Sequence, residues 1–323
     1  MKTVLIAGAG QLGSRHLQGV KTSKHELDIW VYDLSEDSLA VAEERYNQVE
    51  SDNKTAHFVN SLDLVPAELD VVIVASSSKP RYTIVSQLLS THSVKYLVLE
   101  KFLFPKLSDY SEIDELLKKK GVMTWVNCPR RMWEGYEYIK SLIVPELPVE
   151  YTFEGGEWGM CCNTIHFVDI FMALNGAASF EFCIDDLEQE VVDSKRPGYV
   201  EIHGTERFTT ANGSVLRLTS TTAFDGVSRS IIKNGNNIIE YFEGKGEIVV
   251  NGELKNVPVH YQSGLSGILI DELLEKGSCR LANYEQSASY HVAYLSKIAP
   301  FINKIKGWTS ESVSYTHLRA HET

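Results

Sequence analysis

Three glycines near the start of the chain have the spacing of a phosphate-binding turn. The apolar run Val4-Leu5-Ile6-Ala7 leads into Gly8-Ala9-Gly10-Gln11-Leu12-Gly13. In a G-x-G-x-x-G turn the first glycine permits a tight bend, the second lets the backbone approach a pyrophosphate, and the third lets the next helix pack closely. The unpaired N–H groups at the start of that helix then face the phosphates. The pattern predicts a dinucleotide site formed by Gly8, Gly10, Gln11, Leu12 and Gly13.

An acidic residue at the end of the second predicted strand indicates which dinucleotide binds. The strand over residues 28–32 ends at Asp33, twenty positions after Gly13. A carboxylate there can accept hydrogen bonds from both ribose hydroxyls, and it repels a 2′-phosphate. Residues 34–37 include no Lys or Arg that could neutralise such a phosphate. NAD is therefore the expected cofactor, in preference to NADP. The alternative is a glycine-rich loop before an ordinary helix, which would not require an acid at this position.

Polar side chains stand where three later predicted strands end. These strands end at Ser76, at Glu100-Lys101 and at Asn127. In doubly wound sheets ligands bind beyond the carboxyl ends of the strands, so these residues should line one crevice with the glycine turn. A partly desolvated lysine beside a cofactor can hold a substrate hydroxyl and assist proton transfer. We expect Ser76 and Glu100 to contact the cofactor, Lys101 to be catalytic, and Asn127 to contact the substrate.

A predicted helix over residues 163–174 carries a second set of candidates. His166 and Asp169 lie one turn apart on a shared face, so Asp169 could orient the imidazole or raise its basicity. Histidine suits a base at neutral pH, which makes both residues catalytic candidates. A half-buried structural histidine among apolar neighbours is the alternative. We expect no metal site, because the adjacent Cys161 and Cys162 point in different directions.

These motifs together resemble the glucose-fructose oxidoreductase/inositol dehydrogenase (Gfo/Idh/MocA) family. The resemblance rests on Gly8-x-Gly10-x-x-Gly13-x-x-His16, Glu100-Lys101, Asn127 followed by Arg130-Arg131, and His166-x-x-Asp169. It implies hydride exchange between NAD(P) and a secondary alcohol or ketone of a sugar, cyclitol or sugar nucleotide, as in surface carbohydrate metabolism. By position, Lys101 matches the lysine of the family's E-K-P motif, and His166 matches the histidine of its D-x-G-x-H motif.

Two positions depart from the family pattern. Phe102 replaces the proline of E-K-P, which we expect to alter the local turn more than the chemistry. Cys162 stands where D-x-G-x-H has its aspartate, so one acid-base partner is absent. Asparagine can hydrogen-bond a substrate but cannot ionise. We therefore expect Lys101 and His166 to transfer the protons, and Asn163 and Arg131 to contact the substrate.

The missing aspartate leaves two other functions open. Some relatives oxidise the substrate transiently, eliminate or hydrolyse at a neighbouring carbon, and recycle the cofactor. Such an enzyme would accumulate no net NADH. A non-catalytic homologue would keep nucleotide binding and lose the chemistry.

The elements that position these residues form two predicted domains of an α/β protein. Strands alternate with helices over residues 1–127 and read as near-continuous apolar runs, which predicts an open, doubly wound parallel sheet of the Rossmann type. Residues 128–308 contain β-rich segments separated by Asn-Gly turns, with helices on either side, which predicts an α/β domain with a large, mainly antiparallel open sheet. The family resemblance implies that this sheet forms a homodimer or tetramer interface.

Composition and net charge limit the classes of molecule that the protein is expected to bind. The 323 residues are 43% hydrophobic and 23% charged, which is ordinary for a globular protein. A net charge of -12 argues against nucleic acid and anionic membranes and favours a small, sugar-type partner. Apolar runs are shorter than the roughly 18 residues of a membrane span, and five cysteines without C-x-x-C spacing suggest neither disulfides nor zinc. We expect a cytoplasmic protein whose first apolar run is a strand, not a signal peptide.

The last residues of the chain have an unusual sequence. Residues 313–323 resemble the translation of a common transposase sequencing adapter. We expect this tail to be foreign to the natural chain and leave it out of the predicted domains. Its one Arg and one Glu cancel, so the net charge is the same without it.

Overall fold

The computed structural model describes residues 1–51, 53–194 and 199–307, so the tail over residues 313–323 lies outside the described residues. The chain divides into two compact units. The first contains Met1–Pro129 and His260–Ala288. The second contains Arg130–Val259 and the described residues from Ser289 onward.

The first unit is built on a seven-stranded sheet. Its parallel strands are β1 (Lys2–Ala7), β2 (Leu27–Tyr32), β3 (Lys54–Val59), β4 (Glu68–Val74), β5 (Ser93–Glu100) and β6 (Met123–Asn127). They lie in the order β6-β5-β4-β1-β2-β3, and the short strand Ala282–Asn283 pairs antiparallel with β6. The central strands are buried along their apolar residues, as expected for a parallel sheet covered on both faces. The predicted Rossmann sheet is confirmed.

Four helices follow the strands of this unit in turn. They are α1 (Gln11–Lys21), α2 (Glu36–Asn47), α3 (Ser78–Thr91) and α4 (Leu107–Lys120). Ser35 caps α2, because its hydroxyl accepts a hydrogen bond from the Ser38 amide. The helix α4 ends at Gly121 in the left-handed conformation, with three lysines in its last turn. Both signals are local, because each depends only on the residues at one end of a helix.

The second unit is built on an eight-stranded sheet. Its strands are β7 (Glu150–Gly155), β8 (Glu181–Asp193), β9 (Val200–Thr209), β10 (Val215–Ser220), β11 (Arg229–Asn234), β12 (Asn237–Phe242), β13 (Glu247–Val250) and β14 (Glu253–Asn256). They lie in the order β14-β13-β12-β11-β7-β10-β9-β8. All neighbouring pairs except one are antiparallel, so the predicted, mainly antiparallel sheet is confirmed.

Two details of this sheet depart from a simple series of antiparallel hairpins. The strands β7 and β10 are parallel, because the chain leaves β7 through a helix and two further strands before it returns beside it. Residues Val200–Thr209 form one continuous strand, β9. Gly204, in the middle of this strand, pairs with Leu187 beside an irregular stretch of β8, and the ladder continues.

The remaining helices are divided between the two units. The helices α5 (Glu134–Leu142) and α6 (Met160–Asn175) belong to the second unit, α7 (Gln262–Lys276) belongs to the first, and α8 (Tyr284–Lys306) passes from the first to the second. The boundary at Pro129 lies two residues from the predicted one. The assignment of α7 to the second domain, however, needs correction. This helix packs against α1 so closely that a Cβ at Gly267 would lie 2.6 Å from the Gly19 carbonyl oxygen.

Candidate active site

Each of the three glycines in the turn of the first unit is required for a different physical reason. Gly8 has φ +106°, and a Cβ there would lie 2.8 Å from the Ser76 amide nitrogen. A Cβ at Gly13 would lie 1.7 Å from the Gly8 carbonyl oxygen. A Cβ at Gly10 would meet nothing within 4 Å. Gly8 and Gly13 are therefore required by packing, whereas Gly10 leaves open space beside the start of α1 into which phosphates fit.

Asp33 fastens this turn to the end of β2. Its Oδ2 accepts a hydrogen bond of 2.7 Å from the Ala9 amide, and its Oδ1 accepts one of 2.9 Å from the Ser35 amide. A carboxylate oxygen has two lone pairs, so each oxygen keeps one for a ribose hydroxyl. The acid that the sequence singled out therefore has a structural role and retains the capacity to bind ribose.

Two buried polar atoms at the strand ends fit a bound dinucleotide. Within the described residues, Ser76 Oγ at the end of β4 and Asn127 Oδ1 at the end of β6 are buried and have no hydrogen-bond partner. Buried polar atoms in folded proteins nearly always have a partner. A hydroxyl and an amide oxygen can bond the amide and hydroxyl groups of NAD. Together with the open space at Gly10, these atoms show that the residues present fit the cofactor.

Lys101 and Glu100 are buried at the end of β5, with 4% and 3% of their surface exposed. The following peptide bond, between Lys101 and Phe102, is cis. The adjoining backbone is held by Arg81, which is 1% exposed and donates to the carbonyls of Glu100 at 2.7 Å and Leu103 at 2.9 Å. Arg81 also donates to the carbonyls of Phe102 and Ser76. Sequence reasoning missed Arg81, because nothing in its local pattern distinguishes it from a surface arginine.

The Asn127 side chain is hydrogen-bonded to two other side chains of the first unit. Its Nδ2 donates to Glu100 Oε1 at 2.5 Å and to Gln262 Oε1 at 2.9 Å. The carboxamide therefore has only its Oδ1 left for a ligand. The contact between Asn127 and a substrate stays a prediction.

In the second unit, α6 presents a narrow polar face. Asn163 and His166 are half-exposed, whereas the other residues between Met160 and Met172 are buried. They are three positions apart and so share one side of the helix. The Asn163 side chain donates to the Trp158 carbonyl oxygen at 2.8 Å, which fixes its orientation. The two residues proposed for substrate contact and proton transfer in this unit are thus adjacent and accessible.

The observed partner of Asp169 is Arg131. Arg131 Nε donates to Asp169 Oδ2 at 2.7 Å, and its terminal nitrogen donates to the Asp169 carbonyl at 3.3 Å. Burial raises the pKa of Asp169, and the guanidinium beside it opposes that rise. The pair connects two residues that the sequence assigned to separate roles. The action of Asp169 on His166 and the contact of Arg131 with a substrate stay predictions.

The neighbouring Arg130 forms an ion pair with Glu243, which the sequence analysis did not predict. Arg130 donates through two nitrogens to the two carboxylate oxygens of Glu243, each at 2.8 Å. Its guanidinium carbon lies 4.3 Å from the centre of the Phe167 ring on α6. Glu243 is 113 residues away in sequence, so no local pattern could predict this pair. The Arg130–Glu243 pair holds α6 in place through Phe167, beside the Arg131–Asp169 pair.

A buried carboxyl on β9 also supports α6. Glu206 is fully buried, accepts a hydrogen bond of 2.8 Å from the Tyr294 hydroxyl, and is bonded to the Thr164 hydroxyl. Burial raises the pKa of Glu206 to about 8. At neutral pH the group is mostly protonated and can donate as well as accept.

We expect Glu206→Gln to flatten the dependence of stability on pH. The pKa of Glu206 rises from 4.5 to about 8 on folding, so the folded state binds more protons between these values. Stability is then fully present below pH 4.5 and is lost as the pH rises through 8, by up to about 1.4 kcal/mol per pH unit. Urea unfolding at several pH values between these limits measures the slope. The exposed Glu154→Gln is the control, and parallel profiles for Glu206→Gln and the wild type would contradict the assignment.

The described part of the chain has neither a grouped set of metal ligands nor a membrane-spanning helix. No group of three or more His, Cys, Asp or Glu side chains in this part of the chain is arranged to hold a metal ion. All five cysteines are free thiols. Among the described helices, none combines the length and hydropathy needed to cross a membrane.

The structure resembles several solved oxidoreductases over nearly its whole length. UDP-N-acetylglucosamine 3-dehydrogenase GnnA from Acidithiobacillus ferrooxidans is 15% identical, with a TM-score of 0.68 over 92% of this chain and 96% of that one. A putative myo-inositol dehydrogenase from Sinorhizobium meliloti 1021 is 13% identical, with a TM-score of 0.68 over 94% and 98%. An Agrobacterium radiobacter oxidoreductase, crystallised with NAD+, L-tartaric acid and magnesium, is 13% identical, with a TM-score of 0.70 over 96% and 99%. These likenesses show the fold.

The N-terminal unit also matches a family model at the level of sequence. No curated protein matches the chain. Residues 2–128 match the oxidoreductase family with an NAD-binding Rossmann fold, Gfo/Idh/MocA. The matched region contains the glycine turn, Asp33, Glu100-Lys101 and Asn127, whose geometry fits NAD. The N-terminal unit is therefore similar to the NAD-binding Rossmann domain of Gfo/Idh/MocA oxidoreductases.

Proposed function

We propose that the protein is an NAD-dependent dehydrogenase or reductase acting on a secondary alcohol or ketone of a sugar, cyclitol or sugar nucleotide. The observation that carries this proposal is the buried Lys101, at the end of β5 in a unit whose turn is shaped for NAD. The fold shared with a UDP-N-acetylglucosamine dehydrogenase and a putative inositol dehydrogenase supports the substrate class. A role in surface carbohydrate metabolism would be consistent with it.

In this proposal Lys101 stabilises charge on the substrate. Bound NAD supplies the carbon that exchanges hydride with the substrate. When a carbinol is oxidised, negative charge develops on its oxygen, and a lysine ammonium held in a water-poor position stabilises that charge more strongly than it would in water. Arg81 fixes the backbone on both sides of Lys101, so the ammonium needs little reorganisation during the reaction.

His166 is the proposed base, and its neighbours on the second unit bind the substrate. The accessible imidazole accepts the hydroxyl proton, a task that suits histidine at neutral pH. Asn163 donates or accepts a hydrogen bond on the same helical face. The Asp169 carboxylate holds the Arg131 guanidinium, and we propose that this guanidinium contacts the sugar.

Cofactor preference, assembly and location complete the proposal. The Asp33 carboxylate beside the turn favours NAD and would repel the 2′-phosphate of NADP. We propose a homodimer or tetramer formed through the eight-stranded sheet. The five free cysteines accord with a reducing compartment, and we propose the cytoplasm.

A panel of sugars, cyclitols and sugar nucleotides tests the reaction. With a true substrate and NAD+, absorbance at the NADH wavelength should rise in proportion to the substrate oxidised, and NADP+ should support at least tenfold lower kcat/KM. Equal use of NADP+ would contradict the role of Asp33. Binding of NAD+ without turnover of any compound in the panel would favour a non-catalytic homologue.

The buried Cys162 favours one alternative reaction. It occupies the position of the family's missing aspartate and lies fully inside α6, so the site lacks one acid-base group. An NAD-recycling lyase or hydrolase oxidises its substrate only transiently and needs a different set of proton transfers. Product formation without NADH, together with solvent deuterium in the product, would identify it. Stoichiometric NADH would exclude it.

A further inference from the structure

A closed ring of five side chains, four of them buried and one half-buried, joins the helix of the cofactor turn to the segment that carries Lys101. We call it the His16 ring. It contains residues from α1, from the ends of β5 and β6, and from α7, all in the first unit. Its members are His16, Glu100, Asn127, Gln262 and Ser266.

His16 lies at the centre of the ring. It stands three residues after Gly13 and is completely buried. Its Nε2 lies 2.8 Å from Glu100 Oε1, and its Nδ1 lies 2.8 Å from Ser266 Oγ. Both ring nitrogens are therefore used within the protein, and the side chain is oriented along a line from α7 to β5.

Two amide side chains close the ring. Gln262 Nε2 donates to Ser266 Oγ at 3.0 Å, and Asn127 Nδ2 donates to both Gln262 Oε1 and Glu100 Oε1. Glu100 Oε1 thus receives hydrogen bonds from both His16 and Asn127. Such a network is costly to break, because each buried group that loses its partner is left unsatisfied.

The hydrogen-bond directions agree around the whole ring. With Glu100 ionised, its oxygen accepts, so His16 Nε2 carries the proton and donates. Nδ1 then accepts from the Ser266 hydroxyl. His16 is thus fully bonded within the protein, and it links α1 to Glu100.

We propose that His16 is a positioning residue for Lys101, acting through Glu100. It ties the residue next to Lys101 to α1, the helix whose first turn is shaped for the cofactor phosphates. Arg81 holds the backbone carbonyls of the same segment, while the His16 ring holds the Glu100 side chain. The ammonium is thereby kept at a fixed place relative to the cofactor turn. This inference rests on the proposed function in that it assigns Lys101 to the chemistry.

The matched variants His16→Gln and His16→Asn test the link to Glu100. A glutamine amide reaches the position of Nε2 and can donate to Glu100, whereas an asparagine amide is one carbon shorter and cannot. The readout is the acetylation rate of Lys101 by an N-hydroxysuccinimide ester, measured by peptide mass spectrometry relative to the exposed Lys119. We expect His16→Asn to raise the relative rate about tenfold, and His16→Gln to remain within about twofold of the wild type.

Two controls separate positioning from general loosening. Ser23→Ala breaks another contact in the same region, the 2.6 Å hydrogen bond to Asp271 on α7, and should leave the Lys101 rate unchanged. If His16→Asn does not fold, Ser266→Ala opens the ring from the other side and should raise the rate in the same direction. Equal rates in His16→Asn and His16→Gln, or an equal rise in Ser23→Ala, would overturn the proposal.

Nucleotide binding distinguishes failure of this inference from failure of the proposed function. ADP-ribose contains the phosphates and both riboses of NAD but lacks the nicotinamide. Calorimetric titration with ADP-ribose should give affinities within about threefold for the wild type and His16→Asn, because the glycine turn is intact in both. The labelling needs no substrate, so its result stands whether or not a dehydrogenase reaction is found.

Discussion

Lys101→Met should reduce turnover by about 10²- to 10⁴-fold while NAD+ still binds. Lys101 is almost fully buried, and methionine is an apolar side chain of similar length that adapts to its surroundings, so the fold should tolerate it. The variant loses the ammonium that we propose to stabilise the developing alkoxide. The loss should fall on kcat more than on KM, because that charge exists only in the transition state.

Initial rates of NADH formation with a substrate found in the panel measure this effect. Lys119→Met, on the exposed side of α4, is the matched control and should keep full activity. NAD+ titration by intrinsic fluorescence should give nearly the same Kd for all three proteins. Turnover by Lys101→Met within threefold of the wild type would remove Lys101 from the mechanism.

Gly13→Ala should destabilise the first unit and abolish NAD+ binding. The new Cβ would lie 1.7 Å from the Gly8 carbonyl oxygen, far inside van der Waals contact. This obstacle is backbone, which cannot rotate away as a side chain can, so α1 and the turn must separate. We expect a loss of about 3 kcal/mol or more in the free energy of unfolding, at the upper end of what overpacking usually costs.

Gly10→Ala is the matched control for this substitution. A Cβ at Gly10 meets no atom within 4 Å, so the free protein should unfold at the same urea concentration as the wild type. The methyl group would instead occupy the space into which a pyrophosphate fits, and the affinity for NAD+ should fall. Chemical denaturation with and without NAD+ distinguishes the two effects. Wild-type stability in Gly13→Ala would contradict the close contact between α1 and the glycine turn.

The first unit shows which structural features can be predicted from local sequence. The glycine turn, the acid at Asp33 and the polar ends of β4, β5 and β6 were predicted, because each depends on a few neighbouring residues. A buried parallel strand needs a run of apolar side chains, and a tight phosphate-binding turn needs glycine. The Asn-Gly turns of the second unit were readable for the same reason.

The residues that hold the candidate site in place could not be predicted from local sequence. Arg81 contacts carbonyl groups, which every residue has, so its partners leave no mark in the sequence. Glu243 pairs with Arg130 across 113 positions, and Gln262 meets Asn127 across 135. The placement of α7 beside α1 brought Gln262 and Ser266 into the first unit, which the predicted domain boundary had excluded.

The amino-acid sequence by itself determined the type of fold, the nucleotide-binding turn and the residue types that we propose for proton transfer. Those features follow from hydrophobic periodicity and from backbone conformations that only glycine adopts readily. Only the tertiary structure decided which side chains are partners: Asp169 with Arg131, Arg130 with Glu243, and His16 with Glu100 and Ser266. These pairs form between elements distant in sequence, and a buried charged or polar group takes the partner that packing brings within reach.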